Sequence, residues 1–578
     1  MYDKPKYGSD VIVDLMQAFG IEYASLNPGS SFRGLHDSLV NYGKNRPQII
    51  ECCHEEVAVA MAHGYAKACG KPMVAIVHNV VGLLHGTMAI YYAYLDRVPV
   101  LVVGATGPMD TKRRRPFIDW IHTAVVQGNQ VRDYVKWDDQ PFSFDSIPDS
   151  FARGYRVAMT KPKGPVYLCY DAGLQLDELP HPIPLPNPSK FQTPPALLGD
   201  IKALEEVARM LADSQQPVIL TDYLGKNSAA VGSLVELVDL LGIPVIDLNH
   251  RFNFPNTHPL DLSESNILKE ADLVLSLDVR DLYGPLTHPD KVSRTTIIPK
   301  GCKIVEIGLG DLGINSWSQE FQKLQEVDLS ILADTAVALP YLVECCRRQM
   351  KDKSGLQARA RQRAETMATI HSNLRTGWQE ESRRNWNAKP MTTARLAQEI
   401  WSSIGKEDWV LTANTLNGWA RRVWDWSKPY QHPGKSLGTA TQIGISLGVA
   451  LAYKGSGKLV VDIQPDGDLL FDASALWVAS HDQIPMLVVM YNNRAYYNDW
   501  EHQIRLAEHR GTDPNLAYLG MEIEKPAPDF AKLAQSFGWY AEGPIEDGDR
   551  VRPAIERAIR VIKEEGRPAL VDTVTQFR

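Results

Sequence analysis

Oxygen-bearing side chains follow two predicted strands in the C-terminal part of the chain. Asp466-Gly467-Asp468 comes directly after the apolar run KLVVDIQP, and Asn492-Asn493 ends the run MLVVMYNN. Each group alone is typical of an ordinary turn. A helix predicted between the two runs would make the strands parallel and close, which brings Asp466 and Asn493 to one sheet edge. Mg²⁺ prefers oxygen ligands and is commonly held by carboxylates together with phosphates, so the pair predicts a magnesium–diphosphate site.

Gly467 and the helix predicted after it suit the phosphate part of such a site. Glycine lets the backbone approach a phosphate closely, and the first turn of a helix presents amide donors to it. Asp466 and Asn493 are 27 positions apart, which leaves room for one strand–helix–strand crossover. Their joint placement, rather than either group alone, favours metal-bound phosphate chemistry.

Strands and helices alternate in three successive parts of the chain. Short apolar runs of the buried-strand type include MVAIVH and PVLVVGA in the first part, PVILTD and KIVEIGL in the second, and VLTAN and PALVDTV in the third. Amphipathic stretches such as DVIVDLMQAFG lie between them. This alternation predicts an α/β protein with three doubly wound parallel-sheet domains, whose ligands would lie beyond the carboxyl ends of the strands.

Changes in composition along the chain predict the domain bounds. A Pro-rich stretch at 176–197 reads as a linker, and a stretch dense in Lys, Arg, Glu and Gln reads as a solvated helix. We therefore expect an N-terminal α/β domain at 1–185, a central Rossmann-like domain at 198–350, a connecting helical segment at 351–390 and a C-terminal domain at 391–578.

Composition restricts the class of protein. The 578 residues are 44% apolar and 22% charged, with a net charge of −8 and a pI of about 6.0. This balance argues against a nucleic-acid or membrane-surface partner. The N-terminus lacks a signal-peptide pattern, and no apolar run reaches the ~18 residues of a membrane-spanning helix. Seven cysteines without metal-ligand spacing suggest buried reduced thiols, so we expect a cytoplasmic protein.

The Asp466–Asn493 pattern resembles the cofactor motif of thiamine diphosphate enzymes in the acetohydroxyacid synthase and benzoylformate decarboxylase group. The resemblance implies that Asp466, Asn493 and the carbonyl of Ala495 bind Mg²⁺, with Gly467 and Asp468 beside the diphosphate. Two positions depart from the family pattern, since Pro465 replaces the first Gly of its GDG motif and Asp468 replaces the usual Ser or Ala. The ligand-bearing positions are intact, so we expect the cofactor to bind.

The resemblance extends to the N-terminal part, where ECCHEEVAVAMAHGYAKACG is similar to the family segment for the pyrimidine ring. Glu55 lies nine positions before Gly64, where the family has its catalytic Glu, and Glu56 is the rival. In the family this carboxyl group hydrogen-bonds the pyrimidine and assists loss of the thiazolium C2 proton. A carboxyl group with a pKa raised by burial can share a proton in this way. An alternative role for Glu55 is an acid that stabilises a helix N-terminus.

Three further polar residues are candidates for proton transfer by the same resemblance. Ser30 in LNPGSS and His78 in AIVHNVVG match active-site positions of benzoylformate decarboxylase-like members. His122 stands with Thr123 where acetohydroxyacid synthases carry Phe-Gln, which counts against acetolactate synthesis.

Other residues follow from position within the matched segments. Thr441 and Ile443 are the two candidates for the side chain that supports the bent cofactor. The loop after VLTAN should contact the diphosphate through Asn414, Thr415 and Leu416. The segment after the Asn pair should cover the substrate through Tyr496, Tyr497 and Glu501.

Two substrate classes remain open at this stage. One is a 2-oxo acid that is decarboxylated or used in carboligation, which Ser30 and His78 favour. The other is a 2-hydroxyacyl-CoA, for which Arg113 and Arg114 of the basic run Lys112–Arg115 would bind CoA phosphates. That run is more typical of a solvated surface turn. The central domain carries no flavin pattern, so we expect no FAD there; it could hold the ADP part of CoA.

The resemblance also bears on alternatives and assembly. An acetolactate synthase-like carboligase, a flavoprotein oxidase and a non-catalytic homologue of the fold remain alternatives, although the last usually implies loss of Glu55 or Asn493. Family members place the cofactor between the first domain of one subunit and the third domain of another. A homodimer or homotetramer with a small-molecule substrate is therefore expected.

Overall fold

The computed structural model describes residues 4–288, 295–310, 312, 319–413, 415–434, 436 and 438–577. The chain forms two compact units. The first, called here the two-sheet unit, comprises 1–193, 385–418 and 436–578. The second, called the central unit, comprises 194–384 and 419–435.

The N-terminal sheet of the two-sheet unit has six parallel strands. They are β1 Tyr23–Leu26, β2 Gln48–Glu51, β3 Met73–Ile76, β4 Val100–Thr106, β5 Asp138–Asp139 and β6 Val166–Asp171, in the spatial order β2-β1-β3-β4-β6-β5. The helices of this part are α1 Gly8–Ala18, α2 Arg33–Asp37, α3 Glu55–Cys69, α4 Val80–Leu95, α5 Asp119–His122, α6 Ser146–Met159 and α7 Ala172–Leu176.

The central unit contains five parallel strands and their helices. In chain order they are α8 Ile201–Asp213, β7 Pro217–Thr221, α9 Ser228–Leu241, β8 Val245–Asp247, β9 Leu273–Leu277, β10 Lys303–Gly308, β11 Leu329–Leu332, α10 Thr335–Met350 and α11 Ser354–Glu381, and the sheet order is β11-β10-β9-β7-β8. Helix α9 begins at an Asn cap and ends at a left-handed Gly242, as its sequence dictates.

The C-terminal sheet completes the two-sheet unit. Its strands are β12 Trp409–Ala413, β13 Leu459–Pro465, β14 Leu487–Asn492, β15 Tyr540–Ile545 and β16 Ala569–Val574, in the order β12-β13-β14-β16-β15. Its helices are α12 Thr393–Ile404, α13 Trp419–Val423 (which belongs to the central unit), α14 Thr441–Ala452, α15 Asp466–Phe471, α16 Ala475–His481, α17 Tyr497–Arg510, α18 Phe530–Ser536 and α19 Gly548–Glu565.

The predicted fold class is confirmed, because all three sheets consist of parallel strands with helices between them. Strands β13 and β14 are neighbours, with Pro465 opposite Tyr491. One local expectation differs: Asp466-Gly467-Asp468 does not form a turn but begins α15 directly after β13. The expected single helix before β14 is instead two short helices, α15 and α16, with a break at Asp472.

Residues 419–435 pack with the central unit, although they lie in sequence within the expected C-terminal domain. The reason is Arg421, which is buried and ion-paired with Asp247 at 3.1 Å and Asp261 at 3.1 Å. A buried arginine is stable only with such partners, so this segment is fixed to the central sheet.

Helices α3 and α14 cross in direct backbone contact and join the two sheets of the unit. A Cβ atom on Gly64 would overlap the Ile445 carbonyl, and one on Gly448 would overlap the Met61 carbonyl. A Cβ on Gly444 would lie 2.7 Å from that of Ala60. The small residues are therefore required by the close approach of the helices.

Among the described helices, none is both long and apolar enough to cross a membrane. All seven cysteines are free thiols, as expected, but Cys53 and Cys69 are exposed rather than buried.

Candidate active site

Asp466 and Asn493 meet at the carboxyl edge of β13 and β14. The buried Asp466 carboxylate accepts hydrogen bonds from the Gly467 N–H at 2.8 Å and, through Oδ2, from the Ala495 N–H at 3.2 Å. The Asn493 Oδ1 accepts from the same Ala495 N–H at 3.1 Å. Two side-chain oxygens thus converge on one point of the Ala495 backbone, as the spacing of the two motifs predicts.

The donor set at this edge fits a hard cation. Burial raises the pKa of Asp466 to about 6, and backbone N–H groups only partly oppose this. A cation beside the carboxylate would offset the cost of its burial. A carboxylate and an amide oxygen are ligands that Mg²⁺ prefers, and they leave positions for phosphate oxygens. The site therefore fits a magnesium-bound diphosphate.

Gly467 is required here by a neighbouring ring, because a Cβ at this position would overlap Tyr496. Tyr496 thus lies directly against the start of α15. The other two candidates in this segment are engaged elsewhere. Tyr497 stacks on Phe577 with ring centroids 4.5 Å apart, and Glu501 pairs with Arg505 along α17.

Asp468, which the resemblance placed beside the diphosphate, holds the turn before α14. Its carboxylate accepts from the Ala440 N–H at 2.9 Å and from the Gln464 side chain at 3.1 Å. Thr439 and Ala440 both have left-handed backbone conformations, with φ of 56° and 70°, which non-glycine residues adopt only when held. The carboxylate thus stabilises a strained turn that leads into Thr441.

The remaining cofactor candidates of the C-terminal sheet are buried or hydrogen-bonded. Thr441 and Ile443 begin α14 and are fully buried. The Thr415 hydroxyl donates to the Ile463 carbonyl at 2.5 Å, and Leu416 is buried beside it. Asn414 lies outside the described residues.

Glu55 is the first residue of α3 and is 3% exposed. Its Oε2 lies 3.2 Å from the Nδ1 of His85, and its Oε1 would be 2.8 Å from a Cβ on Gly82. The ring of His85 in turn stacks on that of His54, with centroids 4.9 Å apart. His85 was not among the residues predicted from the sequence; its position in GLLHG, one helical turn after Gly82, was the available signal.

Glu56 has a different environment. Burial, together with the negative charges of Asp472 and Asp468, raises its pKa to about 7. Its buried Oε1 has no hydrogen-bond partner among the described residues. Glu56 therefore has the raised pKa expected of the catalytic carboxyl group, whereas Glu55 has the matching sequence position.

The N-terminal end of α3 and the Asp468 region lie close together within one chain. The Nδ1 of His54 is 3.8 Å from the Asp472 carboxylate, and the Tyr92 hydroxyl is 3.0 Å from that of Thr439. Glu56 is near enough to Asp468 for their charges to interact. The two predicted halves of the site, one at each sheet, therefore face each other within one chain, whereas the resemblance implied that they come from two different subunits.

His78 lies two residues after the end of β3 and is held by its neighbours. Its Nδ1 accepts from the Asn79 N–H at 2.7 Å and lies 3.1 Å from the Ser31 hydroxyl. The His122 ring packs edge-on against it with a centroid separation of 5.2 Å, as expected if the two act together. Ser30 is exposed, so the hydroxyl that contacts His78 belongs to Ser31, its neighbour in the same motif.

Of the two predicted arginines, Arg113 pairs with Asp177, whereas Arg114 donates to the Asp119 and Pro108 carbonyls at 3.1 and 3.5 Å. Arg113 lines a cavity of about 280 Å³ together with Arg33 and Arg115.

We expect the pKa of His78 to lie below the ordinary histidine value. Burial lowers this pKa most, and the charge of the nearby His122 lowers it further. A hydrogen bond with Asn79 and the negative charge of Glu55 oppose these effects. Replacing His122 with Asn should therefore raise the pKa of His78, which NMR titration of the imidazole would measure. A downward or absent shift in the variant would contradict a direct His78–His122 interaction. The substitution Arg552→Gln on α19 serves as a control.

Comparison with known proteins covers the whole chain. Three family models match: the thiamine pyrophosphate enzyme N-terminal TPP binding domain at 6–127, the central domain at 204–342 and the C-terminal TPP binding domain at 413–573. A curated relative is acetolactate synthase 1, chloroplastic, of Oryza sativa subsp. japonica, which is 24% identical over 99% of this chain and 85% of its own length.

Two solved structures share the fold. The benzoylformate decarboxylase of Polynucleobacter necessarius has a TM-score of 0.74 and 18% identity, and covers 99% of both chains. The thiamine diphosphate-dependent 4-hydroxybenzoylformate decarboxylase of Rhodococcus jostii RHA1 has a TM-score of 0.74 and 17% identity, again over 99% of each chain.

Proposed function

Because the chain belongs to the thiamine pyrophosphate-dependent enzyme family, we propose that it decarboxylates a 2-oxo acid with thiamine diphosphate and Mg²⁺. The observation that carries this proposal is the position of His78. This imidazole lies at the carboxyl edge of the N-terminal sheet, with Ser31 and His122 beside it. Decarboxylation and carboligation both need a side chain that transfers protons to or from the reacting carbon or its oxygen.

The proposed roles follow from the chemistry of each residue. Asp466, Asn493 and the Ala495 carbonyl would hold Mg²⁺, which binds the diphosphate. Glu55 would hold a proton at the pyrimidine ring of the coenzyme. When bound, thiamine diphosphate supplies the electron sink for the carbon–carbon bond that breaks. Asp468 would act indirectly, by fixing the turn before Thr441.

His78 would move the proton at the reacting carbon. With Nδ1 accepting from the Asn79 N–H, the neutral ring carries its proton on Nε2. A lowered pKa keeps this ring neutral at neutral pH, so its Nε2–H would donate a hydrogen bond at the reacting centre. The ring would transfer a proton to the reacting carbon only after it has itself taken one up to become imidazolium. His122 would be the second donor.

An exposed apolar segment supports the expected assembly. Phe117, Trp120 and Val125 are 79%, 74% and 67% exposed, on the same loop that carries His122. A contiguous apolar surface of this kind is typical of an interface. We propose that a second subunit covers it in a homodimer or homotetramer.

The substrate class is tested by mass spectrometry of products. Purified protein loaded with thiamine diphosphate and Mg²⁺ is offered a panel of 2-oxo acids and of 2-hydroxyacyl-CoA esters, with an EDTA-treated sample as the control. We expect CO₂ and the aldehyde one carbon shorter from a 2-oxo acid. Cleavage of the CoA esters alone would identify a lyase instead. An acetolactate product would identify a carboligase, and coenzyme binding without any product would identify a non-catalytic homologue.

A further inference from the structure

Three arginines line a cavity of about 280 Å³ at the carboxyl edge of the N-terminal sheet. Arg33 comes from the segment after β1, Arg113 and Arg115 from the loop after β4, and the apolar wall of Ala172 and Leu176 from the segment after β6. Three separate strand ends thus contribute to one small site. Ligands of parallel sheets bind at this edge.

Two of the three arginines at the cavity form ion pairs with aspartates, and the third does not. Arg113 pairs with Asp177 and lies near Asp110, and Arg115 pairs with Asp119 at 2.9 Å. These ion pairs fix the two guanidinium groups in position. Arg33 makes no ion pair or side-chain hydrogen bond among the described residues. The site therefore offers one guanidinium group without an ion-pair partner and two that are oriented by ion pairs, and the Asp171 carboxylate adds a negative charge near Arg113.

The cavity lies beside the proposed proton-transfer group. Arg33 follows Ser31 by two positions, and the Ser31 hydroxyl is 3.1 Å from His78. The charge of Arg115 is also close enough to act on His78. A ligand group in the cavity would therefore belong to the same small molecule that reacts next to His78.

We propose that this cavity binds a second oxyanion of the substrate, so that the substrate is a short 2-oxo acid with a carboxylate or phosphonate at its far end. This inference rests on the proposed function, because it specifies the substrate of that same site. Guanidinium groups bind such oxyanions through paired hydrogen bonds, and Ala172 and Leu176 would contact the carbon chain.

The size of the cavity argues against the CoA alternative. Pockets for drug-sized ligands measure roughly 300–1,000 Å³, so a cavity of about 280 Å³ matches the end of a short acidic substrate more closely than a whole nucleotide. Arg114, which the sequence suggested for CoA phosphates, does not line the cavity, since its donors contact backbone carbonyls.

The proposal is tested by isothermal titration of the full-length holoenzyme with unreactive analogues. Succinate, glutarate and adipate carry two carboxylates, whereas butyrate carries one, and none has the carbonyl needed for turnover. We expect at least one dicarboxylate to bind about tenfold or more tightly than butyrate. Arg33→Gln should remove this preference, and Arg33→Lys should restore part of it. Arg552→Gln, an exposed arginine on α19, should leave the preference unchanged.

The outcomes separate the two proposals. If a dicarboxylate is preferred through Arg33 but no 2-oxo acid is turned over, the cavity assignment holds and the proposed function is wrong. If 2-oxo acids are decarboxylated but Arg33→Gln changes no affinity, the cavity assignment is wrong. Methylphosphonate that competes with the dicarboxylate would support general oxyanion binding. Free CoA that binds through Arg33 while dicarboxylates do not would overturn the small-substrate proposal.

Discussion

Replacement of Glu55 with Gln is expected to lower kcat by about 10²- to 10⁴-fold, the usual contribution of a positioned acid–base group. Glutamine has the size of glutamate but cannot hold or release the proton at the pyrimidine ring. Exchange of the coenzyme C2 proton for deuterium, followed by NMR, would show the same loss before any substrate is added. Affinity for thiamine diphosphate should change far less, because the diphosphate is bound at the other end of the site.

Glu56→Gln is the matched comparison. The two residues are adjacent, and Glu56 has the raised pKa of about 7, so either is chemically able to perform the task. We expect Glu56→Gln to retain most of the exchange rate, since Glu55 is the buried residue in contact with His85 and Gly82. If Glu56→Gln abolishes exchange and Glu55→Gln does not, the roles are reversed.

Replacement of Asp466 with Ala is expected to reduce the magnesium-dependent affinity for thiamine diphosphate by more than about 100-fold. Changes in the residues that merely support metal ligands already cost about 10- to 100-fold, so loss of the carboxylate ligand itself should exceed this. Titration of the apoprotein with the coenzyme, with and without Mg²⁺, measures the effect. The melting temperature of the apoprotein should stay close to that of the wild type, because burial of this carboxylate is itself unfavourable.

Asp482→Ala provides the control for this experiment. Asp482 is also a largely buried aspartate with a pKa raised to about 6, but it lies at the amino end of β14, opposite the metal edge. Its replacement should leave the magnesium dependence unchanged. Equal losses in both variants would indicate a general effect on folding, and an unchanged affinity in Asp466→Ala would refute the assigned metal site.

The sequence predicted most of the central strands, because these carry uninterrupted apolar runs, but missed β6; it also predicted the edge strands β8 and β12, which are fully buried. It did not predict β2, β5, β11 and β15, which are edge strands and therefore short or partly exposed. Edge strands bury only part of their surface, so their apolar pattern is weak. The position of 419–435 also could not be predicted, since it depends on ion pairs of Arg421 with residues more than 150 positions earlier.

The convergence of Asp466 and Asn493 could be predicted because parallel strands joined by one crossover must end at the same edge. The roles of Ser31, His85 and Asp468 could not, because each depends on side-chain direction. Ser30 and Ser31 are equivalent in sequence, but the 3₁₀ turn directs only the second to His78. Likewise, nothing in the motif around Asp468 indicates the left-handed turn that its carboxylate holds.

The contact of α3 and α14 through Gly64, Gly444 and Gly448 has a consequence for the choice of coenzyme. Backbone-to-backbone packing leaves no compressible side chains between the helices, so their separation is invariant. Glu55 begins one helix, and the Asp468-held turn begins the other. We therefore expect the distance between Glu55 and the turn held by Asp468 to be fixed, and to limit the length of the ligands that fit between them.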